Sequence, residues 1–191
     1  MPPVVVRDGA PLEIEPLSDG GTVDFGEPIG LAETVHTLHS EMRTFPESFG
    51  CREASFRLSL RDELLERLRK LAAAPASEVE RAAREAQPPS ANTIAVHLVE
   101  ASGPARRVRV RALTRPISDG SGRPIAKAPF GGGVVSTAAP AAAAVRLLAR
   151  GRIESRGVLP PERCIDPGEL FGELERRGTQ FEIQVTEGVR A

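Results

Sequence analysis

The segment 36-HTLHSEMRTFPESFG-50 gathers two histidines, two serines, two glutamates and an arginine. His39, Ser40 and Glu41 are the residue types of a nucleophile–base–orienter relay. Such a relay needs three converging side chains, whereas neighbours on an extended chain point to opposite faces, and no GxSxG elbow occurs in the chain. A self-contained triad is therefore not expected. His36 and His39, three apart, would share a face on a helix but not on a strand. The surrounding TVHTL reads as strand and HEXXH is absent, so zinc is not expected either. A second candidate is 130-FGGGVVST-137, where glycines lead into a helix start whose free N–H groups and positive dipole end could hold an anion beside Ser136 and Thr137. It has neither GxGxxG nor GxxxxGK[ST] spacing, and a plain loop before a helix accounts for it equally well.

These residues must be placed by short elements. In 3-PVVVRDG-9, 12-LEIE-15 and 22-TVDF-25, β-branched pieces separated by DG, SDGG and EPIG read as short strands with turns. The stretch 53-EASFRLSL-60 alternates apolar and polar residues, which predicts a half-buried strand. From Arg61 the period becomes helical, with Leu64, Leu65, Leu68 and Leu71 on one side and the pairs Glu63/Arg67 and Glu66/Lys70 on the other. Ser77 and Glu80 have capping-box spacing and open a second, polar helix to about Gln87, so 75–92 is expected as a surface excursion.

A hairpin is predicted from 93-TIAVHLVEAS-102 and 106-RRVRVRALT-114, with Ile94, Val96, Leu98, Val108, Val110 and Ala112 inward; the strand 180-QFEIQVTE-187 should bury Phe181, Ile183 and Val185. Arg107, Arg109 and Arg111 form a stripe that would either hold an anion or meet glutamates on a neighbouring strand. Strands with one apolar face argue for an α+β fold: an open, largely antiparallel mixed sheet with helices on one face.

Two helices close the chain. With Thr137 as N-cap, Pro140 falls in the first turn, where its missing N–H is harmless. AAPAAAAVRLLA at 138–149 is apolar all round except at Arg146, so more than one of its faces should be covered. The other helix, 166-DPGELFGELERRG-178, has Asp166 as N-cap, Pro167 at N1 and Gly178 as stop.

With 40% hydrophobic and 27% charged residues and a net charge of -1, the 191 residues can bury a core but offer no basic field for nucleic acid. There is no Trp or Tyr for bases to stack on. The longest uncharged run, Phe130 to Val145, is rich in Gly and Ala and falls short of the ~20 apolar residues of a membrane span. No signal peptide is visible at MPPVVVRDG, which points to the cytoplasm. Cys51 and Cys164 belong to no metal or redox spacing and are expected as reduced thiols.

Taken in order, 4-VVVRDG-9, 24-DFGEPIG-30, 36-HTLHSEMRTFPESFG-50, 136-STAAPAAAAVRLLARG-151 and 157-GVLPPERCIDPGELFGELERRG-178 resemble the C-terminal, substrate-binding part of saccharopine dehydrogenase-like oxidoreductases. The resemblance extends over most of the chain as a single domain, 1–191; it is weakest at 75–92 and in the loop 115–133. It implies a mixed α/β substrate-binding and dimerisation domain. It also implies NAD or NADP chemistry at a CH–NH bond of an amino-acid or polyamine-like substrate. The cofactor would be held by a Rossmann domain that these residues do not contain, expected on a separate chain, or by a homodimer partner. The tail 134–178 would pack towards that missing domain. His39 and Glu41 would then be catalytic, with Ser40, Arg43, Thr44, Ser136 and Thr137 lining the substrate cleft. Glu41 would hold the substrate's positive charge, His39 would exchange the amine proton, and Arg43 would pair a substrate carboxylate.

Overall fold

A computed structural model of the chain describes residues 2–86, 92–116 and 130–187. Gln87, the expected end of the second polar helix, and most of the loop 115–133 lie outside the described residues. Helices and antiparallel sheets are combined in an α+β fold, as the alternation of strand and helix patterns implies. The strands are distributed over three small sheets rather than one. Backbone contacts divide the chain into two compact units, Met1–Gln87 and Pro88–Ala191.

In the first unit β1 (Val4–Arg7) and β2 (Ala10–Glu13) form a hairpin. Its two turn residues, Asp8 and Gly9, both have positive φ, 49° and 82°, which a tight Asp-Gly turn requires. Val4, Val5 and Val6 are all buried. A second sheet holds β3 (Asp19–Asp24), β4 (Leu31–His36) and the short β5 (Arg57–Leu58).

The predicted strand 53–60 is thus reduced to two fragments. Ala54 bridges Val6 of the first sheet, while Leu58 pairs with Val35 of the second. A segment whose ends join different sheets must break its own ladder between them, and that partner exchange is invisible to the alternation pattern.

Helix α1 (Glu41–Phe49) packs on β1 and β2 through buried Met42 and ends at Gly50 in the left-handed conformation. Helices α2 (Asp62–Ala72) and α3 (Ala76–Arg84) bury no residue. The capping box at Ser77 does not form: Pro75 takes the N-cap position and Ser77 lies within the first turn.

The second unit is built on a three-stranded sheet of β6 (Ala95–Ser102), β7 (Arg106–Thr114) and β8 (Thr179–Glu187) in that order. The hairpin forms as expected, but its register corrects the expected inward set. Val99 faces Val110 and Ala101 faces Val108, whereas Val96 faces Leu113 and Leu98 faces Arg111. Val96 and Leu98 therefore share a face with the arginines, not with Val108 and Val110. The turn sets this parity, through a Gly103 N–H bond to the Arg106 carbonyl at 2.9 Å, and alternation within either strand cannot reveal it.

The burial expected of β8 is likewise corrected. Ile183 and Val185 are 56% and 58% exposed, and Phe181 alone of the three is half-buried, stacked at 4.4 Å on Phe171. The helices cover only the Phe181 end of this face. On the other face the arginine stripe meets glutamates: Arg107 and Arg109 lie 3.6 and 3.8 Å from Glu100, and Arg111 lies 2.9 Å from Glu182.

Helix α4 (Gly132–Ala149) begins before the expected cap. Thr137 is not its N-cap but sits in its second turn, and Pro140 is interior. Gly132 explains the earlier start. Its N–H donates to the Thr93 carbonyl at 2.5 Å, and a Cβ there would lie 2.2 Å from the Thr114 carbonyl oxygen and 2.9 Å from Ile94 Cα. No other residue allows so close an approach. The helix buries one stripe, Val135, Ala139, Ala143 and Leu147, at four-residue spacing. Val145 and Leu148, 66% and 59% exposed, leave the second apolar face that the composition points to uncovered within this chain. By length and a mean hydropathy of 1.4, α4 alone among the described helices could cross a membrane; here it packs on β6, β7 and α5.

Helix α5 (Pro167–Glu175) has the expected start, with the Asp166 carboxylate accepting from the Glu169 N–H at 2.9 Å. Its buried centre was not anticipated. Glu173 is 1% exposed and meets four guanidinium groups: Arg146 at 3.1 Å, Arg150 at 2.8 Å, Arg176 at 2.6 Å and Arg177 at 2.8 Å. The Arg177 hydrogen bond foremost, against the cost of burial and with the charges of the other three arginines, lowers its carboxyl from 4.5 to about 2.

An unfolded chain binds the Glu173 proton at higher pH than the folded one does, so the stabilisation is complete above the unfolded value of 4.5 and is lost as pH falls towards about 2. Urea midpoints should decline across that window, and Glu173→Gln should lower the neutral midpoint while flattening the decline. Gly132→Ala should destabilise by about 2 kcal/mol through overpacking. At Gly133 an added Cβ meets nothing within 4 Å. Gly133→Ala should therefore stabilise by up to about 1 kcal/mol in the same denaturation experiment.

Candidate functional site

The chain leaves β4 at His36, crosses Thr37–Ser40 without regular structure and enters α1 at Glu41. That change of direction overturns the strand-geometry argument against convergence. His39 Nδ1 lies 2.8 Å from Glu41 Oε2, and the Ser40 hydroxyl donates to the same oxygen at 3.4 Å. Three consecutive residues meet because the last one belongs to a helix and the first two to the turn before it.

The order of the contacts still differs from a hydrolase relay. A serine nucleophile needs the imidazole between itself and the carboxylate, whereas here the carboxylate is in the middle and no Ser40–His39 bond occurs. What the arrangement provides is an ionised carboxylate with an imidazole attached. Burial pushes the Glu41 carboxyl up, but its own backbone N–H, the His39 ring and the Ser40 hydroxyl more than offset this and hold it below the usual carboxylate range. With 39% of the His39 side chain and 46% of the Glu41 side chain exposed, the pair is open to a ligand. As an isolated ion pair in water it contributes ~1 kcal/mol or less to stability.

Two residues not anticipated from the sequence complete the surroundings. The Phe56 ring stacks on the His39 imidazole, with centroids 3.4 Å apart and planes at 27°. The Phe56 carbonyl lies 3.2 Å from His36 Nδ1. Glu13 of β2 stands 3.6 Å from the Arg43 guanidinium, a loose pair on an exposed face. The only sequence signal for Phe56 was its inward position in the alternating stretch. Glu13 had none, since its role depends on α1 docking on β2.

The remaining candidates are placed less directly. Arg43 lies in the first turn of α1, close behind Glu41. The Thr44 hydroxyl is 3.2 Å from the Glu41 carbonyl, within the helix. Ser136 and Thr137 belong to the other unit, where both hydroxyls donate to the Gly133 carbonyl, at 3.0 and 2.9 Å. The anion site pictured at Thr137 is not at a helix start, and the first N–H of α4 is taken by Thr93. No group of three or more His, Cys, Asp or Glu side chains suited to a metal occurs among the described residues. Cys51 and Cys164 are unpaired thiols.

No protein-family model matches this chain, and no curated protein matches it.

Proposed function

We propose that this chain is the substrate-binding and dimerisation domain of an NAD(P)-dependent oxidoreductase acting on CH–NH bonds of amino-acid or polyamine-like substrates. The cofactor domain, of saccharopine dehydrogenase-like type, lies outside these residues. The observation that carries the reading is the meeting of His39 and Ser40 on Glu41 at the start of α1, with Arg43 following in the same turn.

An amine substrate carries a positive charge that Glu41 can hold. Imine formation and reduction also require a group that gives and takes the amine proton near neutrality, and the His39 imidazole is suited to that. Arg43, bound only loosely to Glu13, can turn to a substrate carboxylate. Hydride transfer itself belongs to the nicotinamide and to the domain that holds it. In a second reading the chain is a non-catalytic ligand-binding or protein-interaction module derived from such a domain. The exposed Val99, Ile183 and Val185 on one sheet face favour that reading.

The test is to mix the chain with a separately expressed NAD(P)-binding Rossmann domain and follow NAD(P)H absorbance with saccharopine-, lysine- and carboxyspermidine-type amines. Turnover in the mixture supports the first reading; absence of both turnover and association overturns it. For an amine that binds, Glu41→Gln and Arg43→Ala should each weaken affinity roughly tenfold to a hundredfold, the range of a lost charge-assisted hydrogen bond. Unchanged affinity in both variants would remove the cleft from α1.

A further inference from the structure

His39 has one ring nitrogen engaged and one not. Nδ1 lies 2.8 Å from the Glu41 carboxylate, whereas Nε2 has no hydrogen-bond partner among the described residues. An ionised carboxylate can only accept, so the neutral ring must carry its proton on Nδ1 and leave the Nε2 lone pair available. This is the less common arrangement for a free imidazole, and it lasts only while the ring stays in one orientation. A hydrogen bond to an exposed glutamate does not by itself prevent rotation about the ring's own axis. The stacked Phe56 ring restrains it by fixing the plane of the imidazole, while Glu41, on the Nδ1 edge, decides which of the two orientations in that plane is held.

Phe56 is in turn fixed by the chain around it. Its carbonyl, 3.2 Å from His36 Nδ1, ties it to the end of β4. The following residue, Arg57, pairs with His36 in the sheet. The two histidines singled out in the sequence thus have different tasks. His36 anchors the backbone that presents Phe56, and Phe56 orients His39.

We propose that Phe56 is a positioning residue that holds His39 as the Nδ1–H tautomer, so that Nε2 is the atom that exchanges a proton with a bound ligand. The assignment of that ligand as an amine rests on the function proposed above; the tautomer does not. In the exchange, the Nε2 lone pair takes a proton from the substrate ammonium and the free amine is left. The resulting imidazolium is stabilised by the adjacent Glu41 carboxylate, which itself gains no proton.

The test is nitrogen-15 NMR of the histidine rings in the whole chain at about pH 8, above the ordinary histidine range, with His39 assigned by its loss in His39→Gln. Wild-type His39 should show a protonated Nδ1 and an unprotonated Nε2, their signals widely separated. Phe56→Leu, which keeps apolar bulk but removes the ring, should lose most of that separation as the tautomers mix. Phe56→Tyr should restore it. A wild-type His39 protonated on Nε2 overturns the proposal whether or not any variant folds, and so does an unchanged His39 signature in a folded Phe56→Leu. If the tautomer is as expected but no amine binds, the functional reading fails and the positioning role stands.

Discussion

The second unit is organised around a charge that water cannot reach. Glu173 sits inside the packing of α4 against α5, and a lone carboxylate there would be untenable without compensating partners. Four arginines supply them, two from the end of α4 and two from the end of α5. The same cations stand at the C-terminal ends of both helices, where the backbone carbonyls are unsatisfied and positive charge is favourable. One carboxylate therefore ties the ends of both helices together. Once they are fixed, Phe171 meets Phe181 and the buried stripe of α4 meets the sheet. Such a centre adds specificity of arrangement more than raw stability: an apolar residue could fill the space, but it would not require four arginines to converge.

The first unit is built on shorter-range constraints. Val4 to Val6 are buried along β1, on one side of a two-residue turn, and α1 lies against that hairpin through Met42. The His39–Glu41 pair occurs where β4 gives way to α1, so its geometry depends on a change of backbone direction at Ser40. Polar side chains at such junctions are positioned by two rigid elements at once while staying partly exposed. That is the combination a binding residue needs. It also leaves the pair with little stabilising role, so its types and placement are free to serve a ligand.

Local signals were legible in the chain wherever the cause was local. The Asp8-Gly9 turn, the Asp166-Pro167 helix start and the hairpin around Gly103 all follow from residues a few positions apart. Errors arose where the deciding partner was distant. The 53–60 strand failed because Ala54 and Leu58 answer to different sheets. The α4 start moved because Gly132 fits against Thr93 and Thr114. Thr137 had the chemistry of a cap without the position of one. At the candidate site the convergence of His39, Ser40 and Glu41 depends on the turn into α1, which an extended reading of the segment does not contain.

The sequence by itself determined that this is an α+β protein with antiparallel hairpins, because alternation, turn dipeptides and caps act over a few residues. It also determined which side chains near residue 40 have the chemistry to hold and exchange a proton. Only the tertiary structure decided which atoms meet: Glu41 Oε2 with both His39 and Ser40, Phe56 against the imidazole, and Glu173 with its arginines. The reason is physical. A side chain's reach is a few ångströms, and what lies within that reach is set by the packing of elements far apart in the chain.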